Sequence, residues 1–178
     1  MEFNDVKTIA VIGAGNMGHG IALTLGLAGY QVHLNSNTEL SLQRGMDFVE
    51  ADLDRLVALE MEEPARAQAA LTKISTTTSL EEASRDSDVV YENLDLKQQI
   101  FRDLVAFCPD RTILPSSTST IIPSRFAEVT RRPDRVLVAH YTGPAYLSPL
   151  VEVVCTEQTS DETVGIVFHV LTKVGKNR

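Results

Sequence analysis

Two hydrophobic periods alternate along this chain. Thr8–Ile12 is apolar on both faces, as a strand buried in a parallel sheet must be. Asn16–Ala28 then places Ile21, Leu25 and Ala28 at helical spacing, with Leu23 and Leu27 widening the stripe, which predicts a helix buried on the sheet. Gln31–Asn35 returns to strand period. Leu42, Met46, Val49, Leu53, Leu56 and Val57 predict a long helix from Glu39 to about Leu59. Pro64 opens a second, alanine-rich helix ending at Leu71. This pair reads as a helical hairpin inserted after the second strand, there for core packing and surface cover. Strands follow at Ile74–Thr77, Asp88–Tyr91, Thr112–Leu114, Val136–His140 and Val151–Val154. Helices are predicted after Ser79, along the face Ile100, Phe101, Leu104, Val105 and Phe107, near Pro123–Val129, and over Asp161–Val174. Such alternation predicts an α/β fold with a doubly wound, mainly parallel sheet.

Composition narrows the class without changing the fold. A chain of 178 residues suits one domain, with a net charge of −8 and an isoelectric point near 5.0. That balance argues against nucleic acid as a partner. Arg131, Arg132 and Arg135 form the nearest basic cluster, which reads as a solvated turn. Cys108 and Cys155 have no metal-like spacing and read as free thiols of a reducing compartment. With no leader and no span-length apolar run, the expectation is a cytoplasmic protein with neither membrane nor metal partner.

The candidate chemistry begins where the first strand stops. Gly13, Gly15 and Gly18 have G-x-G-x-x-G spacing between a predicted strand and a predicted helix, a Rossmann-like arrangement. Gly13 allows a tight turn. Gly15 lets backbone N–H groups approach a pyrophosphate. Gly18 allows close packing of the helix, whose N-terminus, with Asn16 and Met17, would face the phosphates. An acid at the end of the second strand would bind a ribose hydroxyl, but Ser36 stands there. Ser36 can bond a ribose hydroxyl without repelling a 2′-phosphate, so NAD and NADP both stay open here, and Arg44 is either a phosphate partner or, more simply, a residue of a helix surface.

Later in the chain, Pro115–Thr120 puts hydroxyls after a strand, either at a ligand edge or in a turn capping the next helix. His140 ends an apolar strand, and Glu152 lies in another. A hairpin-like return would bring them together as a general base and the carboxylate that orients it. The alternative is an edge histidine and an exposed strand acid. His19, His33 and His169 read as structural.

These residues together resemble the NAD-binding domain of the 3-hydroxyacyl-CoA dehydrogenases. The likeness runs through Ile9–Gly20, Thr76–Glu82, Glu92–Phe101, Ser116–Thr120, Arg132–Val136, His140 and Ser148–Val154. The resemblance implies a reversible NAD-dependent oxidation of a 3-hydroxyacyl group to the 3-keto product. It assigns His140 as the base, Glu152 as its partner and Ser119 as the contact to the reacting oxygen. It also adds Glu92, Lys97 and Ser117 to Gly13, Gly15, Asn16, Met17, Gly18 and Ser36 on the cofactor side. Ser117 and Gly143 stand where the family has asparagines, and the stretch before Asn93 is about four residues short.

Ser117–Ser119 with Tyr146–Leu150 is similar to a branch that oxidises carnitine or gulonate, small hydroxy acids without coenzyme A. The family continues into a helical domain that supplies much of the dimer interface. Residues 1–178 are expected to be the dinucleotide-binding domain without that helical domain, as a fragment, a truncated product or a stand-alone domain, with a homodimer or a separate helical partner. A non-catalytic dinucleotide-binding or interaction domain is the alternative function.

Overall fold

The computed structural model describes residues 5–92, 97–119 and 121–176. Seven strands form one sheet: β1 (Thr8–Ile12), β2 (Gln31–Asn35), β3 (Ile74–Thr77), β4 (Val89–Glu92), β5 (Leu114–Ser116), β6 (Val136–Tyr141) and β7 (Val151–Cys155). Their order is β3-β2-β1-β4-β5-β6-β7. All pairings are parallel except the last, where β7 returns antiparallel to β6. The order reverses between β1 and β4, which opens a crevice at their carboxyl ends, where such sheets bind ligands.

Both faces of the sheet are covered, and alternation along β1 shows why its sequence is uniformly apolar. Ile9 and Val11 enter one core with α1 (Gly18–Leu27), α2 (Glu39–Ala58), α3 (Pro64–Leu71) and α7 (Asp161–Lys173). Ala10 and Ile12 enter the other with α4 (Leu80–Ser84), α5 (Lys97–Phe107) and α6 (Ser124–Ala127). Helix α1 is buried nearly all round, glycines included. The α2–α3 hairpin explains this, because it lies over α1. A Cβ on Gly26 would come 3.1 Å from the Ala70 carbonyl of α3. Burial of Ile21, Leu23 and Leu25 stabilises the layer by about 1.5–3 kcal/mol each.

Three of the boundaries that differ from the sequence reading have a visible cause. The loop before α1 runs to Met17, so the helix starts two residues later than the apolar pattern suggests. Strand β4 is shifted one residue, to Val89–Glu92, because Asp88 caps the other end of the sheet: its carboxylate accepts from the Lys7 and Thr8 N–H groups at 2.9 and 3.1 Å. Strand β5 is shifted towards the hydroxyl-rich segment, because Thr112 is spent on a turn. Its N–H bonds the Pro109 carbonyl and its hydroxyl donates to Ser87 O at 2.7 Å.

The arginine cluster is not a solvated turn throughout. Arg132 Nη1 donates to the Pro109 carbonyl, and Arg135 pairs with Glu162 at 3.1 Å. Their side chains are only 11% and 17% exposed. Cys108 is buried, with its thiol pushed up to about 11 by burial. Among the described residues no helix is long and apolar enough to cross a membrane.

Candidate functional site

The glycine loop turns tightly at the carboxyl end of β1. Gly13 has φ +103°, a conformation side-chain-bearing residues avoid, and its N–H donates to Asn35 O at 2.8 Å, tying the loop to β2. Gly15 and Asn16 are exposed, and a Cβ at Gly15 would meet nothing within 4 Å. Gly18 is the opposite case. A Cβ there would lie 1.6 Å from the Gly13 carbonyl oxygen, so this glycine is demanded by the turn itself more than by the strand behind it. The loop is also backed from outside. A Cβ on Gly45 of α2 would be 2.8 Å from the Ala14 side chain. Met17 precedes α1 with no side-chain cap, and the first turn holds no acid, so this helix end is left positive for an anion.

Carboxyl ends of neighbouring strands meet beside this loop. Ile12 lies opposite Asn35 and Glu92, and Glu92 lies opposite Ser116. Ser36 follows β2, half-buried, and Arg44 is exposed on α2. The side chains of Glu92 and Lys97 lie outside the described residues. Ser117 is 6% exposed, and its Oγ is a buried polar atom with no partner. An unpaired buried hydroxyl costs about 1–3 kcal/mol, so a ligand that bonds it would recover that cost. The open Gly15, the uncapped helix end and this hydroxyl fit a dinucleotide in the crevice.

The second group of residues lies one strand further along the sheet. His140 and Glu152 face each other directly in the β6–β7 ladder, with Nδ1 3.0 Å from Glu152 Oε2. An ionised carboxylate only accepts, so Nδ1 carries the proton and Nε2 presents its lone pair. Glu152 is not a buried acid: its side chain is 61% exposed on the edge strand, against 27% for His140.

Ser119, Thr118 and the apolar residues Ile122, Val138 and Val154 line a cleft of about 180 Å³ with this pair. Both readings of the hydroxyl segment hold in part: Thr118 and Ser119 both line the cleft, and Thr118 Oγ1 also accepts from Ile121 N at 3.3 Å in a turn. Among the described residues of this segment none caps α6, which has Pro123 at its start and no side-chain cap.

A buried polar network escaped the sequence reading. His19 donates from Nδ1 to Gly15 O at 3.0 Å, and its Nε2 lies 3.2 Å from Asp52 Oδ2. Asp52 Oδ1 also accepts from Arg55 Nη1 at 2.7 Å and from Tyr146 Oη at 2.8 Å. Tyr146 titrates above the usual range, through burial and then its bond to Asp52, so it remains a donor. The loop carrying Tyr146 is held on its other side by Lys176, whose Nζ donates to the Ala145 and Ser148 carbonyls. Burial lowers the pKa of that ammonium. One signal was available in the sequence: Asp52 falls between Val49 and Leu53 on the core face of α2, where an acid needs partners. Among the described residues no cluster of three or more His, Cys, Asp or Glu is placed to hold a metal ion.

Residues 8–178 match the family described as 3-hydroxyacyl-CoA dehydrogenase, NAD binding domain. The peroxisomal fatty acid beta-oxidation multifunctional protein MFP2 of Arabidopsis thaliana is 36% identical over 174 residues, which is 96% of this chain and 24% of that protein. A probable 3-hydroxybutyryl-CoA dehydrogenase of Bacillus subtilis is 33% identical over 175 residues, 97% of this chain and 61% of the relative. Among solved structures, (S)-3-hydroxybutyryl-CoA dehydrogenase PaaH1 from Ralstonia eutropha superposes with a TM-score of 0.92 at 32% identity, covering 97% of this chain and 62% of its own. The chain thus spans from about a quarter to about three fifths of the length of these relatives.

Proposed function

Since the chain belongs to the 3-hydroxyacyl-CoA dehydrogenase family, as its NAD-binding domain, we propose that it serves the oxidation of a 3-hydroxyacyl-CoA, or a related 3-hydroxy acid, to the 3-keto product. The observation that carries this reading is the His140–Glu152 contact at 3.0 Å, beside Ser119, in one cleft. A nicotinamide bound in the crevice would supply the hydride acceptor.

The chain's own residues account for the proton. Nε2 of His140 takes the proton from the substrate hydroxyl as the carbon–oxygen double bond forms. Glu152 holds Nδ1–H, fixes the tautomer and stabilises the imidazolium. The Ser119 hydroxyl donates to the reacting oxygen. In the reverse direction His140 returns the proton to the alkoxide oxygen as it forms.

On the cofactor side, Gly13, Gly15, Asn16, Met17 and Gly18 present backbone to the pyrophosphate, and Ser117 offers its buried hydroxyl. Ser36 would meet the adenosine ribose. It can bond a hydroxyl there and lacks the charge that would reject a 2′-phosphate, so NAD is the cofactor the family implies while a 2′-phosphate meets no repulsion from this side chain. A second reading, dinucleotide binding without turnover, draws on the exposure of Glu152, because an open site weakens electrostatic catalysis.

The test is to follow nicotinamide absorbance with NAD and 3-hydroxybutyryl-CoA, then with free hydroxy acids, using His140→Ala as control. Turnover lost in that variant supports the dehydrogenase. Cofactor binding without turnover on either substrate class establishes the second reading for this chain.

A further inference from the structure

We propose that His19, held by Asp52, is a positioning residue for the dinucleotide loop, and that the loop keeps its observed shape only while the His19 ring is doubly protonated. The use of that loop for a pyrophosphate rests on the nicotinamide reading above. The clamp itself does not.

The ring lies between two acceptors. Gly15 O faces Nδ1 at 3.0 Å, and Asp52 Oδ2 faces Nε2 at 3.2 Å. A carbonyl has no proton to give. Asp52 is held as a carboxylate, because its other oxygen already receives Arg55 Nη1 at 2.7 Å and Tyr146 Oη at 2.8 Å. Neither neutral tautomer satisfies both contacts, since each would turn a nitrogen lone pair towards an oxygen. With two N–H groups the imidazolium satisfies both.

The geometry on either side gives this pair its effect. Gly15 O accepts the backbone N–H of His19 at 3.1 Å as well as the ring. The carbonyl is therefore fixed towards the protein. In a planar trans peptide the following N–H, that of the exposed Asn16, then points the other way, out into the crevice. The ring is buried against α2, with Phe48 5.1 Å away between ring centroids.

Through Asp52 and Tyr146 the same carboxylate reaches the loop that follows His140. That loop packs on the glycine loop at Met17 and on the first turn of α1 at Gly20. A Cβ on Gly143 would sit 3.6 Å from Met17 Sδ, and one on Gly20 would sit 3.1 Å from the Ala145 side chain. The charged and titratable groups facing His19 are Asp52 and Arg55 from α2 and Tyr146 from the β6–β7 loop. Lys176 holds that loop from beneath.

The test reads the ring and the loop directly. Long-range proton–nitrogen spectra of ¹⁵N-histidine protein, assigned with His19→Gln, are recorded from about pH 6 to about pH 9, a range spanning ordinary histidine titration. Amide exchange at Asn16, Met17 and Gly18, corrected for its intrinsic pH dependence, is followed in parallel, as is NADH affinity by fluorescence. The expected result is two ring protons at the acid end. Loss of one at higher pH coincides with faster loop exchange and about a tenfold weaker NADH Kd, equivalent to about 1.4 kcal/mol.

His19→Gln still donates to Asp52 and does not titrate, so its loop exchange and Kd become independent of pH. Asp52→Asn is the second variant: it removes the charge opposite Nε2, and the pH at which loop exchange quickens is expected to fall relative to the parent protein. A neutral His19 at the acid end with the loop unchanged overturns the proposal. So does the same pH dependence in His19→Gln. A loop that responds in a protein that never binds NADH sinks the nicotinamide reading and upholds the clamp. NADH binding with an unresponsive loop does the reverse.

Discussion

His140 and Glu152 are directly opposed across the antiparallel β6–β7 ladder, so their 3.0 Å contact is set by strand register and not by a loop. Moving the acid by one residue sends it to the other face of the sheet. His140→Ala is expected to lower kcat by about 10³-fold. Exchanging Glu152 and Val153, as Glu152→Val with Val153→Glu, should lose the carboxylate's share and regain none of it. Because Glu152 is exposed, Glu152→Gln should change folding stability by no more than about 0.5 kcal/mol. Steady-state kinetics beside urea unfolding measure both; full activity in the exchanged variant would refute the register argument.

Gly15 and Gly18 should fail differently. Gly15→Ala has free space around its Cβ, so the variant is expected to fold with nearly unchanged Tm while NADH binding weakens at least tenfold. In Gly18→Ala the new methyl meets the Gly13 carbonyl, and a loss of about 3 kcal/mol is expected. Calorimetry with NADH titration separates a binding defect from a folding defect. Equal Tm values for the two would contradict the geometry.

Ser36→Asp places a carboxylate beside the adenosine ribose. NADPH binding should weaken by about 1–3 kcal/mol relative to NADH, through repulsion of the 2′-phosphate. Competition titrations with the two cofactors give the ratio. No change in it would place the ribose elsewhere.

Alkaline unfolding should be steep. Burial pushes Tyr30 up to about 12 and raises Tyr91 and Tyr141 further. Tyrosines of the unfolded chain ionise near pH 10, so between about pH 10 and 12 the native state holds protons that the unfolded state has lost. Stability is therefore complete below about pH 10 and falls above it, by about 1.4 kcal/mol per pH unit for each of these groups. Urea unfolding across this range, with tyrosinate absorbance, checks it. Tyrosinate appearing near pH 10 in still-folded protein would rule it out.

Much of the fold was legible because the pattern and the physics agree. Strands β1, β2 and β3 are where two-sided apolar or alternating runs put them, and Ser79 and Ser160 cap α4 and α7 as small hydroxyl residues should. The approach of His140 to Glu152 was legible only as one of two alternatives, since the sequence equally allows an edge histidine beside an exposed strand acid; the β6–β7 register supplies the pairing. Other features depended on partners distant in sequence. Thr112 leaves β5 for a bond to Ser87, and Arg132 leaves solvent for the Pro109 carbonyl. His19 reads as structural until Asp52, a helix away, is placed against its ring.

Gly45 widens what the loop asks of the chain. Its missing side chain makes room for Ala14, so the strictness usually credited to three locally spaced glycines extends to a position in the next helix. A pattern written on local spacing captures only part of that information. The remainder lies in a surface that must stay bare so that a neighbouring turn can exist.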